Sequence, residues 1–393
     1  MKKIYIIFRL YKPLEACLIE KKLVHNGSPA YFNFIKYIQD SELFDPHVYL
    51  ILDKKSSSLY NNFEIEISGI KNKVKVFRYI NFRFLKNKIK TELILNRLIQ
   101  YVKIYFNTDK KQIYYLDRDN ILLSYLLKFK NGTICFRLLG ITKNLNQKLF
   151  GDKENKLFSN PLKNHQNLII CTNDGSWSLQ TKNNLRNPNF HVLLNGCDFK
   201  FKNYNKLKTT VKFLCVSRIE SGKGIDNLLH IMSKLKSKGF DNFRLKIVGS
   251  GSLLNDMKYL SNELGLKQNC IFLGQTPHNL VINHLQEANI VVSLNKFGYL
   301  GNNVIESLSQ GVPTIIDTNG LSIPLEFEKY FIKIDTKNID NSSSIIFDFC
   351  TSVDNYRNLQ IQSRSIFITK FDNWKKRINY EIDLINEFIE NKS

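Results

Sequence analysis

The chain has 393 residues, of which 43% are hydrophobic and 23% charged, a balance that supplies an ample core and excludes a chain without fixed structure. That length exceeds what one hydrophobic core usually organises, so two domains are expected. The formal net charge is +22, and residues 1–210 hold 36 Lys and Arg against 16 Asp and Glu, so nearly all of the excess lies in the first half.

The opening MKKIYIIFRLYKP has the two lysines of a signal peptide, but Arg9 and Lys12 cut the apolar run short, and it reads better as a buried first strand. Further strands are expected at HVYLIL, IYYL, TICFRLL and NLIICT. A helix is marked by Ser28 as N-cap and Pro29 at its first position. No apolar stretch approaches the roughly 20 residues that span a bilayer, which points to a cytoplasmic protein. Seven cysteines stand singly, without a CxxC, and are expected to be reduced and mostly buried. The seven histidines form no HExxH or HxH pair, so no metal site of protein ligands is expected.

A polar stretch near Asn195 to Thr210 reads as the link between halves. From Lys212 onward short β-type runs (VKFLCVS, FRLKIVG, CIFLG, NIVVSL, VPTIID) alternate with helical patterns (IDNLLHIMSKLKSKG, SLLNDMKYLSNELG, HNLVINHLQEA, NVIESLSQG). Such alternation argues a parallel sheet with crossover helices. The fold class is therefore α/β, with two Rossmann-like domains whose parallel sheets face a central cleft. The expected division is residues 1–200, residues 201–370, and a terminal helix in 371–393 that packs back toward the first domain. In that tail Trp374, Ile378, Ile382, Leu384, Ile385 and Phe388 fall near one helical face.

Three segments of the second half carry chemistry. VSRIESGKG (216–224) puts Arg218 and Lys223 on a loop at a strand's carboxyl end, where open α/β sheets bind ligands. Two such cations suit a diphosphate, arginine as a planar fork and lysine as a mobile point charge, although solvated loop cations look the same. IVGSGS (247–252) offers Gly249 and Gly251 for close backbone approach to an anion, and equally for a plain tight turn. SLNKFGYLGNNVIESLSQGVP (293–313) sets a glycine-bearing loop before a helix opening near Asn302 or Asn303, with free N–H groups for a second phosphate. Glu306 then suits a ribose diol, or simply complements the helix dipole.

Taken in order, NGCD (195–198), SRIESGKG, IVGSGS, IFLG with Gly274, and GNNVIESLSQGVPTI resemble the retaining glycosyltransferase family 4, of GT-B architecture. The terminal FDNW is similar to that family's closing F-x-W. The resemblance implies that Arg218 and Lys223 hold the donor diphosphate and serve catalysis, and that Asn303 and Val304 offer N–H groups to it. It further implies that Gly249, Gly251 and Gly274 belong to the donor site, and that Glu306 binds ribose. Transfer would retain the anomeric configuration, with the two cations stabilising charge on the leaving nucleotide. The donor would be a nucleotide diphosphate sugar, UDP- or GDP-linked, with no cofactor. The acceptor would be a glycan or lipid-linked sugar in surface polysaccharide synthesis, such as lipopolysaccharide or capsule.

Three departures from the family pattern stand out. Gly298 occupies the place of the first glutamate of the acidic pair. No histidine lies between His47 and His165, where the family often has one, and Arg137 is the candidate to serve acceptor or donor instead. The glycine loop after the first strand is reduced to Gly27 and Ser28, which are assigned to the acceptor side. Residues 71–90 carry eight Lys or Arg and no acid, interleaved with Phe77, Tyr79, Phe82 and Phe84. That mixture suits an anionic membrane on its inner face; it also suits nucleic acid, though no nucleic-acid partner is expected, or a plain solvated surface. A sugar-nucleotide epimerase of the same fold, and a non-catalytic membrane- or nucleic-acid-binding protein, are the alternatives.

Overall fold

The computed structural model describes residues 1–23, 29–57, 60, 63–80, 89–141, 143–150, 154–207, 209–318, 323 and 325–392. Gly27 and Ser28, and residues 81–88 of the basic stretch, lie outside them. The chain forms two compact units. The first comprises Met1–Thr172, Trp177–Leu193 and Trp374–Ser393, and the second Asn173–Ser176 and Leu194–Asn373.

Among the described residues the first unit holds eight strands: β1 (Lys2–Arg9), β2 (Phe44–Ile51), β3 (Glu64–Ile65), β4 (Val74–Phe77), β5 (Ile113–Asp117), β6 (Thr133–Leu138), β7 (Asn167–Thr172) and β8 (Phe190–Leu193). Their order is β3-β4-β2-β1-β5-β6-β7-β8, parallel throughout except for the antiparallel edge pair β3 and β4. The central strands are apolar in nearly every position because both faces are covered, as parallel sheets require. Ile4, Ile6, Phe8, Tyr115 and Ile170 face one apolar layer, and Ile7, Tyr114, Leu116, Phe136 and Ile169 the other. The helix Pro29–Ile38 and the terminal helix Trp374–Glu390 cover the first layer, the latter through Trp374, Ile378, Ile382, Ile385 and Phe388.

β4 alters the picture of the basic stretch. Val74, Val76 and Phe77 are core residues, so Phe77 is not a surface aromatic; lysines alternate with them because a strand sends successive side chains to opposite faces.

The second unit holds β9 (Val211–Val216), β10 (Phe243–Val248), β11 (Cys270–Gly274), β12 (Ile290–Ser293), β13 (Thr314–Asp317) and β14 (Ile332–Ile334). All are parallel, in the order β11-β10-β9-β12-β13-β14. The helix Ile225–Ser237 returns the chain from β9 to β10 and buries Leu228, Leu229, Met232 and Leu235, a stripe at intervals of three and four residues. Each such leucine cut back to alanine would cost about 2–5 kcal/mol. The helices Ile339–Thr351 and Val353–Lys370 complete this unit; the sequence reading had not placed them. The strand order reverses between β9 and β12, which leaves a crevice at their carboxyl ends, the position where doubly wound sheets receive nucleotides. All seven cysteines are buried and none is in a disulfide.

Candidate active site

The loop leaving β9 carries both expected cations. Arg218 is 69% exposed and pairs with Glu220 at 2.8 Å, so its guanidinium reaches solvent while held by a neighbouring carboxylate. Lys223 is more enclosed. Its Nζ donates to Asn295 Oδ1 at 3.2 Å and lies 5.6 Å from the centre of the Phe297 ring. Burial lowers the Lys223 pKa, the like charge of Arg218 adds to this, and Glu220 and Asp174 oppose it. A diphosphate arriving here would relieve the repulsion between the two cations and favour the charged lysine.

The glycines of the β10 loop serve this arrangement differently from the expectation. A Cβ on Gly249 would sit 1.9 Å from the Ser217 carbonyl, and one on Gly251 would sit 2.2 Å from that of Ile219. Their close approach is therefore to the backbone flanking Arg218. The contact is sealed by hydrogen bonds from Ser217 N to Val248 O and from Ile219 N to Ser250 O, both 3.0 Å. Gly249 N also donates to Gly274 O at 2.7 Å, which brings Gly274 into the same structure while leaving open space around its Cα.

Beyond β12 the helix Asn302–Ser309 opens at Gly301. Val304 N is taken up by the Gly301 carbonyl at 2.9 Å, so it is not free for a ligand. The amides of Asn302 and Asn303 donate to no described residue, and they form the helix opening. The side chains there are fixed: Asn303 Nδ2 donates to Ser293 Oγ at 3.1 Å and Asn195 Nδ2 to Asn302 Oδ1 at 2.8 Å. The second of these ties the NGCD segment to the same helix.

Glu306 is 8% exposed and meets His278 Nε2 at 2.7 Å through Oε1. The His278 ring stacks on Phe199, centroids 5.1 Å apart. This hydrogen bond raises the His278 pKa; burial opposes it, and the charges of Glu306 and Asp198 reinforce it. The carboxylate expected to meet a ribose diol thus already has an imidazole partner, which the dispersed histidines of the sequence did not disclose.

Arg137 lies elsewhere. It is fully buried in the first unit, with its Nε 3.3 Å from Glu381 Oε1, and Nη1 donates to Leu138 O at 2.6 Å. Glu381 is further held by Arg377 at 2.7 Å and by the Tyr115 hydroxyl. A guanidinium without solvent access, neutralised by the terminal helix, does not face a substrate; its role is to fasten that helix to β5 and β6.

Two doubly wound units, one with paired cations and the Glu306 carboxylate at the carboxyl edge of its sheet, define a two-domain α/β protein. Comparison with known proteins makes this specific. Residues 198–344 match the family described as glycosyl transferases group 1, and the chain carries a group 1 glycosyltransferase domain. Two uncharacterized glycosyltransferases of Methanocaldococcus jannaschii are 27% identical over 129 residues and 31% identical over 111. These alignments cover 33% and 28% of this chain and 33% and 27% of those proteins, so the chain aligns with a third or less of the curated relatives' length.

Among solved structures, a sucrose-phosphate synthase of Thermosynechococcus elongatus superposes over the whole of both chains with a TM-score of 0.68 and 15% identity. HepE of Anabaena, in complex with UDP, gives 0.67 and 15% over 98% of this chain and 100% of its own. The lipopolysaccharide outer core galactosyltransferase WaaB gives 0.61 and 14% over the whole of both. The architecture is that of the GT-B glycosyltransferases.

Proposed function

We propose that this protein is a glycosyltransferase that moves a sugar from a nucleotide diphosphate donor to a glycan or lipid-linked acceptor, with retention at the anomeric carbon, in the building of a surface polysaccharide. The observation that carries the proposal is the convergence on one sheet edge of Arg218, Lys223, the open amides of Asn302 and Asn303, and Glu306. The cations and amides suit a diphosphate, and Glu306 suits a ribose. As the glycosidic bond breaks, charge grows on the leaving diphosphate, and fixed cations there stabilise the transition state more than the bound donor. A UDP-linked donor is favoured by the UDP found with HepE, and the polysaccharide setting by the named activity of WaaB.

A position on an anionic membrane surface belongs to the same proposal. No helix of the described residues is long and apolar enough to cross a membrane. The helix Ile89–Phe106, however, leaves Ile94, Leu98, Val102 and Phe106 between 45 and 77% exposed. At intervals of four residues they form an apolar stripe, with Lys90 and Lys103 on the same helix, the pattern of an interfacial helix.

The test is thermal stabilisation by a panel of nucleotides and nucleotide sugars. A ligand at 100 times its dissociation constant adds about 2.7 kcal/mol. A rise in the midpoint with one nucleotide diphosphate, abolished in R218A/K223A, is the expected result; no rise with any of them in folded protein would refute the proposal. Product stereochemistry, read by NMR of the anomeric proton, tests retention.

A further inference from the structure

The segment Asn173–Ser176 leaves β7 and packs with the second unit. It is pressed there against the loop that follows β12. Leu300 N donates to the Asp174 carbonyl at 2.9 Å. A Cβ on Gly298 would lie 2.4 Å from that same carbonyl, and one on Gly175 would lie 2.5 Å from the Tyr299 ring and 2.7 Å from the Tyr299 amide. Position 298 is therefore closed to any side chain by backbone that cannot yield.

What fills that place also brings a carboxylate. Asp174 Oδ1 receives the Ser176 amide at 3.1 Å and the Ser176 hydroxyl, and the carboxylate is also reached by its own backbone amide. No described cation lies within ion-pair distance of Asp174. The Lys223 charge nonetheless reaches it: burial raises the Asp174 pKa, and the Ser176 hydrogen bonds and Lys223 oppose that rise. A continuous polar run joins the two. Lys223 holds Asn295 Oδ1, and Asn295 Nδ2 donates at 3.0 Å to the carbonyl of Gly298, which abuts Asp174.

A carboxylate placed next to the lysine of a diphosphate site cannot bind the phosphates, because like charges repel. It can accept hydrogen bonds from neutral hydroxyl groups, and the group attached to the diphosphate in a sugar donor is rich in them. Charge-assisted hydrogen bonds of this kind are the strong ones. We propose that Asp174 is a specificity-determining residue for the donor, its carboxylate accepting a hydrogen bond from a hydroxyl of the hexose whose diphosphate Lys223 and Arg218 hold. This rests on the nucleotide-sugar function proposed above. It assigns to the β7 loop a part in reading the sugar.

The experiment compares the affinities of UDP and of UDP-glucose, UDP-galactose and UDP-N-acetylglucosamine, with GDP and GDP-mannose as the second base series, for the full chain, D174N and D174A. Calorimetric titration supplies the constants and circular dichroism verifies the fold. The expected result is that free nucleotide diphosphate binds the variants as well as the native chain or a few-fold better, while the preferred nucleotide sugar weakens about 10- to 100-fold in D174A and less in D174N. An equal loss for nucleotide and nucleotide sugar would overturn the assignment and make Asp174 a positioning residue for Lys223. Unchanged affinity for both would overturn it as well. Failure of the native chain to bind any of these nucleotides would overturn the proposed function itself, and this inference with it.

Discussion

Replacing Glu381 by glutamine removes a charge that compensates two buried guanidinium groups. Arg137 is 0% and Arg377 6% exposed, and neither Nε nor Nη2 of Arg137 has a hydrogen-bond partner among the described residues. Breaking a buried ion pair from one side costs about 3–5 kcal/mol; glutamine keeps an acceptor for the Tyr115 hydroxyl, so the lower end applies. In a unit of about 200 residues, each kcal/mol moves the midpoint by about 2–4 °C, which gives a fall of roughly 6–12 °C. Burial opposes ionisation of Glu381, but Arg137 and Arg377 hold its pKa below the usual carboxylate range. Its contribution is thus present at neutral pH and is lost as pH falls through the folded-state value, so the native chain and E381Q should converge in acid. Thermal scans followed by circular dichroism at several pH values supply the readout. A loss under about 1 kcal/mol at pH 7 would refute the buried-charge account. A triple variant R137M/R377L/E381L, which removes all three charges, should recover most of the stability.

Three further predictions concern the second unit and the surface. E220Q frees Arg218 from its 2.8 Å partner, and because an exposed pair is worth up to about 1 kcal/mol, affinity for a nucleotide diphosphate should rise by up to about fivefold in titration; a weaker complex would show that Glu220 positions the arginine instead. Its hydrogen bond to Glu306 raises the pKa of His278 above the ordinary imidazole value of about 6.5. The stability of its pair with Glu306 is therefore full below that value and lost as pH rises through the folded-state one, so unfolding midpoints of the native chain and H278Q should differ most on the acid side of this window, and a pH-independent difference would contradict this. Replacing both Leu98 and Phe106 by glutamate should abolish co-sedimentation with phosphatidylglycerol-containing vesicles without unfolding the chain, whereas persistent binding would move the membrane contact away from the helix Ile89–Phe106.

The alternation of apolar runs with helical patterns made the second unit legible because its central strands β12 and β13 are buried on both faces and its crossover helices carry an apolar face. The placement of Arg218 and Lys223 on the loop after β9 was legible too, since such loops leave the carboxyl ends of parallel strands. Interactions that join distant parts of the chain were not. Arg137 looks like an available cation until Glu381, on the last helix, is brought against it. His278 gives no local sign of Glu306. Phe77 reads as one aromatic among surface lysines, and only pairing of β4 with β2 shows that it faces the core. Gly298 reads as a lost acid, and nothing in the string TNDGS announces that its backbone would occupy the space.

The charged side chains assigned to the proposed donor are each occupied by a protein partner of complementary chemistry: Arg218 by Glu220, Lys223 by Asn295, and Glu306 by His278. A ligand therefore exchanges contacts, and gains only the difference between the new bonds and those it displaces. Pyrophosphate alone competes for the cations and leaves Glu306 with His278; a nucleoside alone does the reverse. A nucleotide diphosphate makes both exchanges while losing its translational freedom once, so its binding exceeds what the fragments suggest. Such a site would bind the proposed donor with moderate affinity, its cations oriented before the ligand arrives. That favours turnover, since stabilisation reserved for the charge developing on the leaving diphosphate raises the rate, whereas tight binding of the intact donor does not.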